Sequence, residues 1–371
     1  MKVRQLRILS ISDIHLGHPK TSTAYILRNL EQALPSQSWM NEVDLILFGG
    51  DLFDRLLTFN SPDAFLIKRW MRQFCEMCAR KDIVIRVLEG TPSHDHRQNK
   101  WFDEQKNETT VDLRYIDTLM IEHIERFGID ILYIPDEWKG NDTDAVWMDV
   151  RKAMSDRGLE KVDFSLIHAT MDYQLAAEFR VPMHNTQRYL DITRYYVFSG
   201  HIHQSSVYEQ RHLCNGSFDR LCHGDEGKKG FWDVTVCPET GNHVVFRENQ
   251  NAKIYRTIDL RDHREDYMRQ LTAVEQYPED SHLRLFVGKD DPILAAFDSI
   301  KKLYPQFHWT VKIDRSEDTQ KALFQDKRGQ FQQTNFTKDN LTHILLERIR
   351  KRYQDPELIS ACERALQEYV I

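Results

Sequence analysis

The stretch Gly200-His201-Ile202-His203 follows an apolar run at residues 195–199 and places two imidazoles one residue apart. On an extended strand, side chains alternate between the two faces, so His201 and His203 would share a face. In a turn that begins at Gly200, the two rings can instead point towards two different ions. A single His-x-His pair is common, so this stretch indicates a metal centre only together with other ligands.

Further carboxylates and imidazoles follow other apolar, strand-like runs. Each group alone has an ordinary explanation: an Asp-x-His is usually a surface pair, a Gly-Asp-x-x-Asp is often a turn, and a lone histidine after a strand is usually a hydrogen-bonded core residue. Their repetition at successive strand ends is hard to explain by chance, and we predict a two-metal hydrolase. The groups are Asp13-Ile14-His15, Gly50-Asp51-Leu52-Phe53-Asp54, Ser93-His94-Asp95 and His168.

The composition is that of an ordinary globular protein, with 371 residues of which 41% are hydrophobic and 29% charged. No apolar run is long enough to span a membrane, and residues 1–10 lack the pattern of a signal peptide, so we expect a cytoplasmic protein. The net charge of −7 argues against a surface that coats nucleic acid indiscriminately. It does not exclude a nuclease, because bound metal ions and a local basic strip can attract DNA.

The pattern of apolar residues predicts an α/β fold. Predicted strands alternate with predicted helices as far as residue 200, and the candidate ligands follow strands, which is typical of a site at the carboxyl edge of a sheet. The predicted strands lie at residues 6–12, 44–48, 83–88, 131–134, 162–167 and 195–199. The predicted helices lie at residues 21–34, 61–80, 111–127 and 144–156.

The pattern changes after residue 205, and the chain divides into three predicted domains. Closely spaced strands at 206–208, 231–236, 244–247 and 254–258 are expected to close the second sheet of a sandwich. A charged stretch at 262–280 separates a first domain, residues 1–260, from a compact β-α-β unit in residues 261–325. A Gln-rich linker and two amphipathic helices, at 337–352 and 356–369, make up residues 326–371.

The roles of the candidate ligands follow from their chemistry. Two-metal phosphoesterases hold two divalent ions that are usually bridged by a carboxylate, and mixed carboxylate and imidazole ligands suit manganese, iron or zinc better than magnesium. Asp51 is the predicted bridge, because the glycines before it leave room on both sides. Asp54 and His94 are assigned to catalysis, with His94 beside the leaving oxygen. The first ion is assigned to Asp13, His15 and His203, and the second to His168 and His201.

The order of these motifs resembles the calcineurin-like metallophosphoesterases. It more closely resembles their DNA-repair branch, the SbcD-type nucleases related to the eukaryotic meiotic-recombination nuclease. Gly50-Asp51-Leu52-Phe53-Asp54 is similar to that branch's second motif. The stretch from Asn215-Gly216-Ser217-Phe218-Asp219-Arg220 to Glu226-Gly227-Lys228-Lys229-Gly230-Phe231 resembles its segment after the Gly-His-x-His turn. The likeness covers residues 6–258 by motif and is only architectural beyond them.

The resemblance implies a four-layer αββα sandwich, with the β-α-β unit as a smaller α+β capping domain that contacts DNA over the active site. It implies a manganese-dependent exonuclease and endonuclease with two divalent ions, expected to be Mn²⁺. It also implies a homodimer and an SbcC-type ATPase partner with a long coiled coil. The C-terminal helices would dock on that ATPase through their apolar faces or, alternatively, pack on their own domain.

The third motif departs from the family pattern Gly-Asn-His-Asp, whose Asn is a metal ligand. In Thr91-Pro92-Ser93-His94-Asp95, Ser93 stands where that Asn would be. A serine hydroxyl is shorter and a poorer neutral donor than an amide carbonyl. The second ion is therefore expected to bind more weakly, or water or His96 completes its site.

Basic side chains that could contact DNA phosphates lie on the second predicted helix and after the third motif, although a solvated helix face is the ordinary explanation. The predicted helix at 111–127 could supply a dimer face. A small-substrate phosphatase or phosphodiesterase with the same metal site is the main alternative function, and a binding scaffold with a decayed site is a third. The candidate DNA contacts are Arg69, Arg72, Arg97 and Lys100.

Overall fold

Two six-stranded sheets carry most of the elements in the computed structural model, which describes residues 5–34, 38–136, 139, 142–176, 181–261, 272–288, 291–314 and 360. In the first sheet, the strands that carry the first three motifs run parallel, and a strand from much later in the chain pairs antiparallel with the first. In spatial order its strands are β12 (His243–Glu248), β11 (Gly230–Val236), β1 (Leu6–Ile11), β2 (Leu45–Phe48), β3 (Val84–Leu88) and β4 (Leu113–Ile116).

The second sheet contains the strands that end at the histidine motifs. Four neighbouring strands of this sheet, β6, β7, β8 and β10, run parallel. In spatial order its strands are β5 (Met120–Ile124), β6 (Ile129–Ile134), β7 (Val162–His168), β8 (Thr193–Gly200), β10 (His212–Cys214) and β9 (Ser206–Tyr208).

Helices cover the outer faces of both sheets. The start of the second helix follows local chemistry, because the Ser61 side chain accepts a hydrogen bond from the Ala64 backbone N–H (3.2 Å) and Pro62 occupies the first helical position. The α-helices that precede residue 200 in the described part of the chain are α1 (Thr23–Ala33), α2 (Pro62–Arg80), α3 (Pro92–Asp95), α4 (Trp101–Thr109), α5 (Thr143–Asp156) and α6 (Thr186–Ile192).

Strand β2 shows how the layers are built, because all of its residues are buried. Leu45 and Leu47 point into the core between the two sheets, where they join Phe164 and Phe198. Residues 46 and 48 point the other way, and the Phe48 ring lies 5.8 Å from Phe74 of α2 and 5.6 Å from Phe102 of α4. A third core packs α5 and α6 on the second sheet. This arrangement confirms the predicted αββα sandwich.

The predicted helix at 111–127 is wrong: these residues form β4, a turn and β5. Ile116, Met120 and Ile124 are four residues apart, which imitates helical spacing, but two consecutive strands supply them and all three pack in the core between the sheets. A dimer face on such a helix is therefore withdrawn. The sequence patterns also missed α4, α6 and β10.

The prediction that all of the late strands close the second sheet is wrong. Strands β11 and β12 extend the first sheet, because β11 pairs with β1, in the register Ile8 with Val234. Strands β9 and β10 extend the second. The strand near residue 255 joins neither of these sheets.

A third sheet has the order β13 (Tyr255–Asp259), β14 (His282–Val287) and β15 (His308–Ile313), with helix α7 (Ile293–Leu303) between the last two strands in sequence. The predicted β-α-β unit is therefore present. The sheet also takes β13, which ends just before the predicted boundary at residue 260, and it pairs in parallel with β14.

The chain divides into two compact units, Met1–Phe286 with Ala295–Lys312, and Val287–Leu294 with Ile313–Ile371. Both six-stranded sheets belong to the first unit. In the second, the described residues are 287–288, 291–294, 313–314 and 360. The predicted C-terminal helices and linker lie outside the described residues, and the two boundaries between the three predicted domains stay a prediction. Among the described helices, none is long and apolar enough to cross a membrane.

Candidate metal centre

The carboxyl ends of strands from both sheets meet at one edge of the sandwich. The backbone carbonyl of Gly49, just after β2, lies 2.6 Å from Nδ1 of His168, the last residue of β7. The backbone N–H of His201, just after β8, lies 3.1 Å from Oδ1 of Asp13, which follows β1. These two contacts join the motifs of the first sheet to those of the second.

Within the described ranges, three groups of side chains could each hold an ion, because the ligand atoms of each group lie within 4.8 Å of one another, and two of the groups share His15. Every predicted metal ligand except Ser93 belongs to one of these groups, and so do both predicted catalytic residues. The first group is Asp13 with His15 and His203, the second is Asp51 with His168 and His201, and the third is His15 with Asp54 and His94.

In the first group, two imidazoles face each other. Nε2 of His15 lies 3.1 Å from Nε2 of His203, and the latter atom lies 3.8 Å from Oδ1 of Asp13. The Asp13 carboxylate is fully buried. A buried carboxylate beside two converging ring nitrogens is the donor set that a divalent transition metal prefers.

The other side of the His203 ring meets a carboxylate that the sequence analysis did not single out. Nδ1 of His203 lies 3.2 Å from Oδ2 of Asp225. The buried Lys229 donates to the His203 carbonyl at 2.8 Å and lies 3.8 Å from Asp225. A carboxylate on the second ring nitrogen fixes the orientation of a ligating histidine. We therefore assign Asp225 to orienting the His203 ring and not to binding an ion. Asp225 lies in the sequence between the two stretches that resemble the SbcD-type nucleases, and that position could have indicated its role.

In the second group, the two imidazoles and the predicted bridging carboxylate are also held by their neighbours. A carbonyl oxygen can only accept a hydrogen bond, so Nδ1 of His168 donates to Gly49, and Nε2 of His168 faces Oδ1 of Asp51 at 3.3 Å. Burial raises the pKa of Asp51, but the adjacent His168 outweighs this and holds that pKa well below its usual range. Burial lowers the pKa of His168, but Asp51 outweighs it and raises that pKa.

The third motif brings Thr91, and not Ser93, to this second group. Oγ1 of Thr91 lies 3.2 Å from Oδ2 of Asp51, and it lies 3.4 Å from one ring nitrogen each of His168 and His201. Ser93 is exposed. His96, the considered substitute, is exposed as well and is not part of any of the three groups.

His94 and Asp54 meet at the first group. Nδ1 of His94 donates to the backbone carbonyl of Asp54 at 2.9 Å. The Asp54 carboxylate lies 3.3 Å from Nδ1 of His15, and the rings of His15 and His94 are 5.0 Å apart, edge to face. Burial raises the pKa of Asp54, but the neighbouring His15 outweighs it and lowers that pKa. With Nδ1 protonated, Nε2 of His94 is the ring atom that can exchange a proton with a substrate.

Asp95, the partner of His94 in the motif, has a structural position. Its fully buried carboxylate accepts hydrogen bonds from the backbone N–H groups of Asp51 (3.0 Å), Phe53 (2.9 Å) and Gly90 (2.7 Å). It thereby ties the loop after β2 to the loop after β3. Burial raises its pKa, and the negative charge of Asp51 adds to this effect.

The backbone of the centre is strained where the candidate ligands lie. Positive φ angles are uncommon for residues with a side chain, and they concentrate at functional sites. Gly50 has a φ of 92°, and a Cβ there would lie only 2.4 Å from Nδ1 of His168. The non-glycine ligands in this conformation are Asp13 (52°), His15 (55°), Asp51 (51°) and His201 (83°).

The candidate DNA contacts lie outside the three groups. Arg69 and Arg72 are on α2, where Arg72 pairs with Glu76 at 3.1 Å. Arg97 is exposed and has a φ of 59°. Lys100 is exposed, with Nζ 5.9 Å from the Tyr115 ring. Their role in DNA binding stays a prediction.

Comparison with known proteins addresses the family directly. The family model of the calcineurin-like phosphoesterases matches residues 6–205, which is more than half of the chain and contains every predicted metal ligand. Among curated proteins, none matches the chain. One solved structure aligns with 66% of this chain and 100% of its own, at 8% identity and a TM-score of 0.42. On the family match, the chain belongs to the calcineurin-like phosphoesterases.

Proposed function

We propose that this metal-dependent phosphoester hydrolase is a manganese-dependent DNA exonuclease and endonuclease, the nuclease subunit of an SbcCD-like repair or recombination complex. The single observation that carries the proposal is the position of the segment that resembles the SbcD-type nucleases after the Gly-His-x-His turn. That segment contacts the backbone of two candidate ligands, Asp13 and His203.

The contacts of this segment are specific. The Phe218 backbone N–H donates to the Asp13 carbonyl at 3.2 Å. The Lys229 ammonium donates to the His203 carbonyl at 2.8 Å and to the Ser217 hydroxyl at 2.9 Å. Burial lowers the pKa of Lys229, and Asp225 opposes that shift. The residues of the nuclease-like motif therefore hold two candidate ligands in place, which supports the finer assignment within the family.

The donor set fits two divalent ions, because the first group contributes the carboxylate of Asp13 and the second group that of Asp51. When bound, such ions supply an activated water and positive charge for the phosphoryl group. The chain's own residues orient the two candidate histidine ligands. The Asp225 carboxylate faces Nδ1 of His203, and the Gly49 carbonyl accepts a hydrogen bond from Nδ1 of His168. Manganese is proposed because mixed oxygen and nitrogen donors suit it better than magnesium.

His94 is proposed to give a proton to the leaving oxygen. Its Nδ1 proton is engaged with the Asp54 carbonyl, so the ring is held in one orientation and proton transfer falls to Nε2. A positioned general acid of this kind contributes about 10²–10⁴-fold to the rate.

The proposed partners follow from the same assignment: DNA, a second copy of the chain, and an SbcC-type ATPase. The ATPase is proposed to bind residues beyond 334, and a chain truncated after Thr334 should lose that binding while it still hydrolyses a small diester. If the truncated chain binds the ATPase as tightly as the full chain does, the docking proposal fails. Size-exclusion chromatography with light scattering would test the homodimer.

A second candidate function is favoured by a cavity. A space of about 280 Å³ adjoins the second group of ligands, between His168 and His201 and the apolar side chains of Ile134, Val146 and Leu175. A cavity of this size beside the centre could hold a small substrate, as a phosphodiesterase or phosphatase would require.

The deciding experiment is cleavage of end-labelled linear duplex DNA with and without Mn²⁺, by wild type and by Asp51→Asn. Asp103→Asn is the matched control, because Asp103 is an exposed aspartate on α4. We expect manganese-dependent cleavage by wild type and the control, and none by Asp51→Asn. Turnover of bis-p-nitrophenyl phosphate without any DNA cleavage would instead favour the small-substrate enzyme.

A further inference from the structure

The hydroxyl of Thr91 occupies a position that its local structure does not explain. Thr91 is the N-cap residue of α3, where a threonine side chain usually accepts a hydrogen bond from the first turn of its helix. Here the side chain makes no such bond. The helix start is satisfied without it, because the Thr91 carbonyl accepts from the backbone N–H groups of His94 and Asp95, both at 2.9 Å.

The hydroxyl points instead into the second group of ligands. Oγ1 lies 3.2 Å from Oδ2 of Asp51, 3.4 Å from Nε2 of His168 and 3.4 Å from Nδ1 of His201. Nδ1 of His168 donates to Gly49, so Nε2 is the ring nitrogen that faces this space and would bind an ion once it carries no proton. The Thr91 hydroxyl oxygen thus lies within 3.4 Å of one ligand atom from each of the three candidate ligands. This is the position expected of a fourth ligand atom to the same ion.

The backbone fixes this position. The Thr91 N–H donates to Oδ1 of Asp51 at 2.6 Å. Its φ and ψ of −60° and 125° are the extended conformation that a following proline imposes, and Pro92 follows. The carboxylate of Asp51 is thus held at one oxygen by the Thr91 backbone and approached at the other by the Thr91 hydroxyl. Ser93 lies in α3 and is exposed.

We propose that the Thr91 hydroxyl is the neutral oxygen donor that completes the divalent-cation site of Asp51, His168 and His201. Ser93, water and His96 are then not required for that role. The inference rests on the two-metal centre of the proposed function, but it does not depend on DNA as the substrate. Because a hydroxyl is a weaker donor than an amide oxygen, this ion should be the more weakly bound of the two.

The test is Mn²⁺ binding to the full-length protein, measured by isothermal titration and by electron paramagnetic resonance, which detects the coupled signal of a manganese pair. Thr91→Val removes the hydroxyl at similar volume, and Thr91→Ser keeps it. Ser93→Ala is the matched control. We expect wild type, Thr91→Ser and Ser93→Ala to bind two ions. In Thr91→Val the dissociation constant of the weaker ion should rise at least about tenfold, with the coupled signal lost at equal Mn²⁺ and the tighter ion unaffected.

Two ions bound by Thr91→Val with wild-type affinity would overturn the proposal, as would a loss of the second ion in Ser93→Ala. If Thr91→Val does not fold, Thr91→Asn decides instead: an amide oxygen in the same place should bind the weaker ion more tightly than the hydroxyl, and weaker binding would reject the donor role. Wild type that binds a single ion would remove the two-metal centre and this proposal together. Intact binding of two ions without DNA cleavage would count only against the nuclease.

Discussion

The carboxylate of Asp225 lies 3.2 Å from Nδ1 of His203, while Nε2 of the same ring lies 3.1 Å from Nε2 of His15. Burial lowers the pKa of His203, but its bond to Asp225 outweighs this and raises that pKa. A carboxylate in this position orients the ring and makes its free nitrogen a better ligand. Asp225 therefore supports the metal centre through His203, although it belongs to none of the three groups of candidate ligands.

Replacing Asp225 by Asn should weaken Mn²⁺ binding at the first group. Loss of such a supporting carboxylate typically costs about 10- to 100-fold in affinity, and we expect a rise of that size in one of the two dissociation constants. Isothermal titration measures it. Glu239→Gln removes an exposed carboxylate and should change neither constant. Unchanged binding in Asp225→Asn would mean that the backbone alone orients His203.

Replacing Asp95 by Ala should destabilise the fold rather than alter the chemistry directly. The change leaves three buried backbone N–H groups without an acceptor, at Asp51, Phe53 and Gly90. Each such group costs about 1–3 kcal/mol, so the free energy of unfolding should fall by about 3 kcal/mol or more. Urea unfolding of the metal-free protein, beside Ser93→Ala, gives the value. A loss below about 1 kcal/mol would show that water or a backbone shift satisfies the groups.

The strand ends were predictable because their chemistry is local. An apolar run followed by Asp or His places a ligand at the edge of a parallel sheet whatever the rest of the fold does, and His168 and Asp51 meet in this way. The assignment of Val244 and its neighbours to the second sheet failed, because strand order depends on pairing between distant segments. The register of β11 against β1 carries no signal in either strand alone.

The third motif shows a finer limit. Counting residues from the His94-Asp95 pair points to Ser93 as the Asn equivalent, whereas the structure brings Thr91 to the second group. The difference arises because Pro92 begins a short helix and turns Ser93 outward. The position of a side chain after a proline depends on the backbone path, which spacing along the sequence does not report.

Replacing His94 by Gln should slow DNA cleavage by about 10²–10⁴-fold without loss of either Mn²⁺ ion. The reason is that its Nε2 is the proposed proton donor to the leaving oxygen. The loss should be much smaller with bis-p-nitrophenyl phosphate, since nitrophenolate leaves with little help from a proton. Equal losses on both substrates would argue for a binding role, and cleavage at the wild-type rate would exclude the proton-donor role.

The pH dependence of stability should reflect His212, a buried histidine that belongs to none of the three groups of candidate ligands. His212 is fully buried, with Nδ1 3.0 Å from the Tyr173 hydroxyl and Nε2 2.9 Å from the Ser199 hydroxyl, and burial lowers its pKa to about 3. An unfolded histidine binds a proton near pH 6.5, so between pH 6.5 and about 3 the unfolded state holds the extra proton. The contribution of His212 to stability is thus present above pH 6.5 and is lost progressively as the pH falls towards 3. His212→Asn should be less stable than wild type at pH 7.5, and the gap between the two should shrink by about 2–3 kcal/mol by pH 4.5, as measured by urea unfolding of the metal-free proteins. His243→Asn, at an exposed position, should track wild type across this range. A gap for His212→Asn that stays constant with pH would mean that His212 binds its proton equally well in both states.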